Sequence, residues 1–287
     1  MLRSLLRHCI PASAAVVMCG FVPSAHEVVA QQIVAHRGAS ADAPENTLAA
    51  FQLAWEQGSD AVEGDFYLTT DRQIVAIHDK STERTSGVDL DVRKHTLARL
   101  KSLDVGKWKA GRFVGERIPT LKQVCRTIPP EGKLVLEVKD SPRIVPVIVQ
   151  AIRKTPEFAT LLPGRLVIIS FDEHVVAACK QSLPDVKALW LTGFKADERT
   201  GELTPSIGSI LGTLARIQAD GLDCKASEHI DPAFVQQLRN AGYEFHVWTV
   251  DEPEMAARFQ RLGVDSITTN RPAFIRESLM LQPVSVP

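Results

Sequence analysis

The chain has 287 residues, 45% of them hydrophobic and 23% charged, with a formal net charge of −1. This allows one large domain or two small ones and is enough to bury a substantial core. Near-zero net charge removes the electrostatic case for nucleic-acid binding, so any phosphate recognition must rest on a local cluster.

The first thirty residues read differently from the rest. Arg3 and Arg7 precede an apolar, small-residue run from Ile10 to Val22, and Val28-Val29-Ala30 offers small residues where a signal peptidase reads. This is the layout of an export signal, and the run is short for a membrane span. Residues 1–30 are expected to be a leader, cleaved after Ala25 or Ala30, and 31–287 a periplasmic or secreted domain without a stable membrane span. Cys19 opens a lipid-anchored alternative, which Met18 before it disfavours; an uncleaved anchor is the plainer one. Without the leader, Cys125, Cys179 and Cys224 remain. Their odd number and spacing indicate neither a metal site nor a disulfide framework.

Beyond the leader, strand-like and helix-like stretches alternate. Strands are expected near 33–36, 61–66, 134–138, 166–170, 187–191, 217–222, 245–249 and 265–268. Helices follow near 46–57, 120–127, 143–153, 173–182, 206–215, 232–241, 253–261 and 272–279. Start signals stand at Pro119-Thr120, Asp172, Asp231-Pro232 and Asp251-Glu252-Pro253. Eight β-then-α units in about 250 residues predict a TIM (β/α)8 barrel.

One run breaks that count. Ile74 to Ile77 is strand-like but begins only nine residues after Asp65. A parallel crossover needs about a dozen residues or more, so this run must return antiparallel from a turn at Thr70-Asp71-Arg72-Gln73. Such a hairpin brings His78 back to the level of Asp65. The polar, weakly periodic stretch 80–118 then reads as an insertion after strand two, folded as a small cap on the face where barrel sites form.

Chemistry-bearing residues collect at strand ends. His36 closes Ile33-Val34-Ala35, Glu63 and Asp65 close Asp60-Ala61-Val62, His78-Asp79 closes Ile74–Ile77, and Glu137 with Lys139 closes Leu134-Val135-Leu136. Residues two apart on a strand share a face, so Glu63 and Asp65 converge, as do Glu137 and Lys139. Oxygen ligands without cysteine suit Mg²⁺ or Ca²⁺, with Mn²⁺ a third candidate. Arg37 and Lys139 are candidate phosphate clamps, although Lys139 could instead pair with the carboxylates beside it. Trp248, near the end of its strand, serves either as a wall for an organic substrate or as barrel filling.

The motifs His36-Arg37-Gly38, Pro44-Glu45-Asn46-Thr47, Glu63-Gly64-Asp65, His78-Asp79 and Glu137-Val138-Lys139 stand in the order of the glycerophosphodiester phosphodiesterases. Ser170-Phe171, Trp248-Thr249-Val250 and Ile267-Thr268-Thr269-Asn270-Arg271-Pro272 continue a resemblance that spans nearly the whole chain after the leader. Two positions depart from the pattern: Gly64, where a bulkier apolar residue is usual, and Asn270, where aspartate is common. The resemblance implies a TIM barrel with a small insertion, and one divalent cation held by Glu63, Asp65 and Glu137. It also implies His36 and His78 as the acid–base pair, in either order. Attack by a glycerol hydroxyl would expel the alcohol, and water would then open the cyclic phosphate. Arg37, Lys139, Glu45, Asn46 and Trp248 are expected to contact the glycerophosphodiester substrate, with Asn46 also a candidate helix cap. Lysophospholipase D or phospholipase C-like action on lipids is the rival chemistry, and a non-catalytic binding barrel the rival class. Headgroup and oligomeric state stay open.

Overall fold

The computed structural model describes residues 31–162 and 164–281; the expected leader lies outside the described residues. Eleven strands are present among them: β1 Gln32–Ala35, β2 Ala61–Leu68, β3 Ile74–Ala76, β4 Lys133–Val138, β5 Leu166–Ser170, β6 Lys187–Thr192, β7 Lys195–Ala196, β8 Leu203–Thr204, β9 Gly221–Lys225, β10 Glu244–Trp248 and β11 Ser266–Thr269. The sheet runs β1-β11-β10-β9-β6-β5-β4-β2, and a β1–β2 pairing closes it. All eight of these pairings are parallel, with helices between consecutive strands, which is the expected TIM barrel. β7 and β8 form a separate small hairpin.

The barrel forms because its strands are apolar on both faces. β2 is buried at every position, as a parallel strand covered by helices outside and side chains inside must be. Outward residues such as Leu134, Leu136, Ile168, Leu222, Phe245 and Ile267 join the main core under the helices. Inward, Ile169, Leu189 and Leu191 pack with Val135, Val167 and Trp248.

β3 pairs antiparallel with β2, with Phe66 opposite Ala76. The Ile77 amide donates to the Asp65 carbonyl at 2.9 Å, so His78 emerges level with Asp65, as the short spacing requires. Residues 80–118 then fold over the barrel mouth through short helices at Glu83–Ser86 and Leu97–Leu100. Their own apolar cluster joins Val92, Leu100, Leu103, Val105 and Ile118 to Tyr67, Val75 and Ile77.

Thr120, Asp172 and Asp231 cap their helices with side-chain hydrogen bonds, Thr120 within a full capping box. Two expectations need correcting. The strand expected at 217–222 lies at Gly221–Lys225, because the preceding helix continues through Ile217, whose burial extends the Ile210–Leu214 stripe. At Asp251-Glu252-Pro253 the helix starts without a side-chain cap, since both Asp251 oxygens accept hydrogen bonds from Thr269 and Asn270.

Cys125, Cys179 and Cys224 are buried free thiols.

Candidate active site

Neighbouring strands aim three carboxylates at one point. Oxygens of Glu63, Asp65 and Glu137 lie within 4.8 Å of one another, and all three residues are buried. Asp65 stands opposite Glu137 in the β2–β4 register. Burial, together with the Asp65 and Glu137 charges, pushes Glu63 well above the usual carboxylate range. Burial and Asp65 push Glu137 up to about 8. Burial opposes ionisation of Asp65 too, but Arg37, His78 and Lys139 together hold it below its ordinary value.

Two cations flank this group. The Arg37 backbone amide donates to Glu63 Oε2 at 2.8 Å, while its guanidinium lies 3.2 Å from Asp65 and 3.0 Å from Glu45. Lys139 Nζ is 3.0 Å from Glu137 Oε1 and 3.6 Å from Asp65. These contacts do not exhaust the acceptors: among the described residues Glu63 Oε1 is buried with no partner, and Asp65 Oδ1 and Glu137 Oε1 meet the single ammonium of Lys139 at 3.6 and 3.0 Å. Three converging buried carboxylates, one with a partnerless oxygen and two sharing one ammonium, are the donor set that a hard divalent cation satisfies. The residues fit such an ion.

The β1–helix loop builds the Arg37 side of the site. Arg37 and Gly38 have φ of 56° and 78°, and a Cβ at Gly38 would lie 2.5 Å from the Ala50 backbone. Only glycine permits that approach, which turns Arg37 back over the carboxylates. Asn46, also at positive φ, bonds Asp65 reciprocally: Nδ2 donates to Asp65 Oδ2 at 2.8 Å, and Oδ1 accepts from the Asp65 amide at 3.1 Å. This corrects two expectations. Asn46 sits behind a carboxylate and positions it instead of facing substrate, and Thr47, not Asn46, caps the helix Leu48–Glu56. Gly64 is explained here as well, since a Cβ would meet Phe51 at 3.1 Å and Asn46 at 3.3 Å. Phe51 already fills the volume that a larger residue would take.

His36 donates Nδ1–H to Asn270 Oδ1 at 2.7 Å. The direction is fixed by the network. Asn270 Nδ2 donates to Asp251 Oδ2 at 2.6 Å, and Ser40 Oγ donates to the same Oδ1 at 2.7 Å. Nε2 of His36 therefore carries the lone pair. Burial and the adjacent Arg37 lower the His36 pKa despite the Asn270 bond, so the ring is neutral at pH 7. His78 differs in its partner: Nδ1 donates to the Asp79 carboxylate at 2.8 Å, a group that complements a positive ring. Arg84 of the cap holds Asp79 at 2.5 Å and grips Glu45 with two further bonds of 2.7 and 2.9 Å. Glu45 thus joins Arg37 to the cap.

A cavity of about 120 Å³ opens in front of these groups, lined by His36, Arg37, Glu63, His78, Glu137 and Lys139. Its far wall is mostly apolar: Ile169, Leu191, Phe171 and Trp248, with Thr268 and Asp223. Phe171 meets Trp248 edge-on at 5.6 Å. Trp248 is half-buried on the cavity wall, with an indole N–H 3.4 Å from the Asp223 carbonyl.

The family model of the glycerophosphoryl diester phosphodiesterase family matches residues 36–274. The chain belongs to this family. The glycerophosphodiester phosphodiesterase of Caldanaerobacter subterraneus is 33% identical over 241 residues, 84% of this chain and 94% of its own. One from Bacillus subtilis is 29% identical over 252 residues, covering 83% of each chain. An Oleispira antarctica phosphodiesterase, solved with its product sn-glycerol-3-phosphate, superposes with a TM-score of 0.75 at 27% identity, covering 87% of this chain and 96% of that one.

In this glycerophosphoryl diester phosphodiesterase family member, the structure gathers His36, His78, Arg37, Lys139, Trp248 and the three carboxylates around one cavity. Glu45 lines a neighbouring pocket that shares His36 and Arg37 with this cavity, and Asn46 bonds Asp65 from behind. Four contributors were given no site role in the sequence reading: Asp223, Arg84, Phe171, named there only within a motif, and the Asp251–Asn270 pair that orients His36. Asp223 had a readable signal, a lone acid alternating with apolar Leu222 and Cys224, hidden because the strand was placed too early. Arg84 had none, since its partners are 5 and 39 residues away.

Proposed function

We propose that the chain is an exported phosphodiesterase that hydrolyses glycerophosphodiesters to sn-glycerol 3-phosphate and an alcohol. Three converging buried carboxylates beside two differently partnered histidines carry this reading. Glu63, Asp65 and Glu137 would hold one divalent cation, Mg²⁺ or Ca²⁺. Such an ion supplies charge neutralisation and Lewis acidity at a phosphoryl oxygen.

The protein groups do the rest. Arg37 and Lys139 present positive charge where a phosphodiester must sit. Neutral His36, with its lone pair on Nε2, takes the proton of the glycerol hydroxyl adjacent to the phosphoester as that oxygen attacks phosphorus. His78, oriented through Nδ1 by Asp79, donates a proton to the departing alcohol. The roles then reverse: His78 activates water to open the cyclic phosphate, and His36 returns its proton to the glycerol oxygen. Phe171, Trp248 and Leu191 exclude water from the glycerol carbons.

The test is glycerol 3-phosphate release from glycerophosphocholine by protein lacking residues 1–30, in chelator, Mg²⁺ or Ca²⁺. Release restored by metal and reduced about 10²- to 10⁴-fold in His36→Ala is expected. Release insensitive to either would overturn the reading.

A further inference from the structure

Asp223 is the group that the mechanism leaves unused. It lies on β9, four strands from β2 in either direction around the barrel, so it faces Glu63 from the opposite wall. Its inward direction follows from the alternation along β9, where Leu222 and Cys224 pack outward into the main core. It is 3% exposed and lines the apolar end of the cavity beside Leu191 and Trp248. Its Oδ1 is buried without a hydrogen-bond partner among the described residues. His246, opposite Asp223 in the β10–β9 register, is engaged elsewhere: it bonds Ser266 through Nδ1 and Glu244 through Nε2.

A buried carboxylate with an empty acceptor, in an otherwise apolar pocket end, costs stability unless a bound molecule supplies a donor. Burial pushes its carboxyl up to about 6, which leaves it an ionised acceptor at neutral pH. Resting on the reaction proposed above, the substrate's orientation follows. The phosphate lies on the carboxylate-cluster side, the attacking hydroxyl is on the adjacent carbon, and the third glycerol carbon projects toward the opposite wall. We infer that Asp223 accepts a hydrogen bond from the hydroxyl on that third carbon, and that it thereby selects a free glycerol end over a deoxygenated or acylated one. An acyl ester there has no proton to donate and would leave Oδ1 unpaired, with its chain set against Leu191, Trp248 and Asp223. The same residue thus separates glycerophosphodiesters from 1-acyl lysolipids.

The test compares kcat/KM for glycerophosphocholine, for the phosphocholine diester of 1,2-propanediol and for monomeric 1-acyl lysophosphatidylcholine. The diol ester keeps the attacking hydroxyl and lacks only the far one. Wild-type protein is expected to favour glycerophosphocholine over both by roughly 10²-fold or more, because a site built to bind a hydroxyl discriminates strongly against its absence. Asp223→Leu should lower glycerophosphocholine turnover to within about tenfold of the diol ester, with circular dichroism and thermal unfolding showing that the variant is folded. Asp223→Asn, still an acceptor, should retain an intermediate preference. Equal wild-type use of the two soluble substrates, or a preference that survives in Asp223→Leu, would overturn the inference and leave the proposed reaction standing. Wild-type turnover of none of the three would remove the reaction itself, and this inference with it.

Discussion

Asn46 and Asp65 hold each other through two hydrogen bonds, and Asp65 is fully buried between Asn46 and two cations. Replacing Asn46 with alanine frees the carboxylate to rotate toward Arg37 or Lys139. Divalent-cation affinity is expected to fall about 10- to 100-fold, as when other partners of ligand carboxylates are removed, with kcat at saturating metal much less affected. Isothermal titration beside a metal-saturated rate measurement checks this. Asn270 offers a second test at the same scale. Its amide holds His36 without adding charge, and burial beside Arg37 lowers the His36 pKa. Asn270→Asp supplies a negative partner that favours the imidazolium. The ring then needs a higher pH to lose its proton, and the acidic limb of the kcat/KM profile should move to higher pH. An unmoved limb would show that His36 is not the base. Of these groups, the histidines and carboxylates were legible in the sequence because strand ends place them. The Asn46–Asp65 and Asp251–Asn270 bonds were not, because residues 19 apart in each case meet only through the barrel.

At the scale of elements, the turn after β1 carries the site. Gly38 has φ of 78° and sits against the Ala50 backbone, which fixes where Arg37 points. Gly38→Ala is expected to cost more than about 2 kcal/mol through backbone strain and the clash. At this chain length that corresponds to a Tm roughly 4–8 °C lower. Arg37 would be displaced with the turn, so activity should fall further than stability does; calorimetry and rate measurement on one preparation separate the two. The β2–β3 hairpin was deducible from spacing alone, since nothing parallel fits in so few residues. β9 was misplaced because Ile217 and Ala219 extend the apolar pattern from helix toward strand, and periodicity does not mark the boundary between them.

For the whole molecule, the carboxylate cluster couples stability to pH and, on the proposed function, to metal. Glu137 titrates near 8 in the folded chain against an ordinary 4.5, and Glu63 is shifted the same way. A folded-state pKa raised above the unfolded one gives stability at low pH that is lost as pH rises through the folded value. The metal-free protein should therefore lose stability between about pH 5 and 8, and a divalent cation should cancel that loss. Carboxylates shifted downward, such as Glu244 at about 2, give the opposite trend, but they are present with and without metal. The Tm difference between saturated and chelated protein consequently isolates the cluster. It is expected to widen with pH, reaching about 2.7 kcal/mol of stabilisation at a hundredfold excess over Kd. A difference that is flat in pH would place cation binding elsewhere.

On the proposed function, three buried carboxylates hold a cation that supports phosphodiester hydrolysis by His36 and His78. Titrating metal-free protein with Mg²⁺ and with Ca²⁺, while following both heat of binding and glycerophosphocholine turnover, tests it most directly. Binding and activation should saturate together at one site per chain, and Glu137→Gln should move both midpoints to at least about tenfold higher metal. Full turnover in chelator, or activation whose midpoint ignores Glu137→Gln, would show that these carboxylates do not hold a catalytic cation.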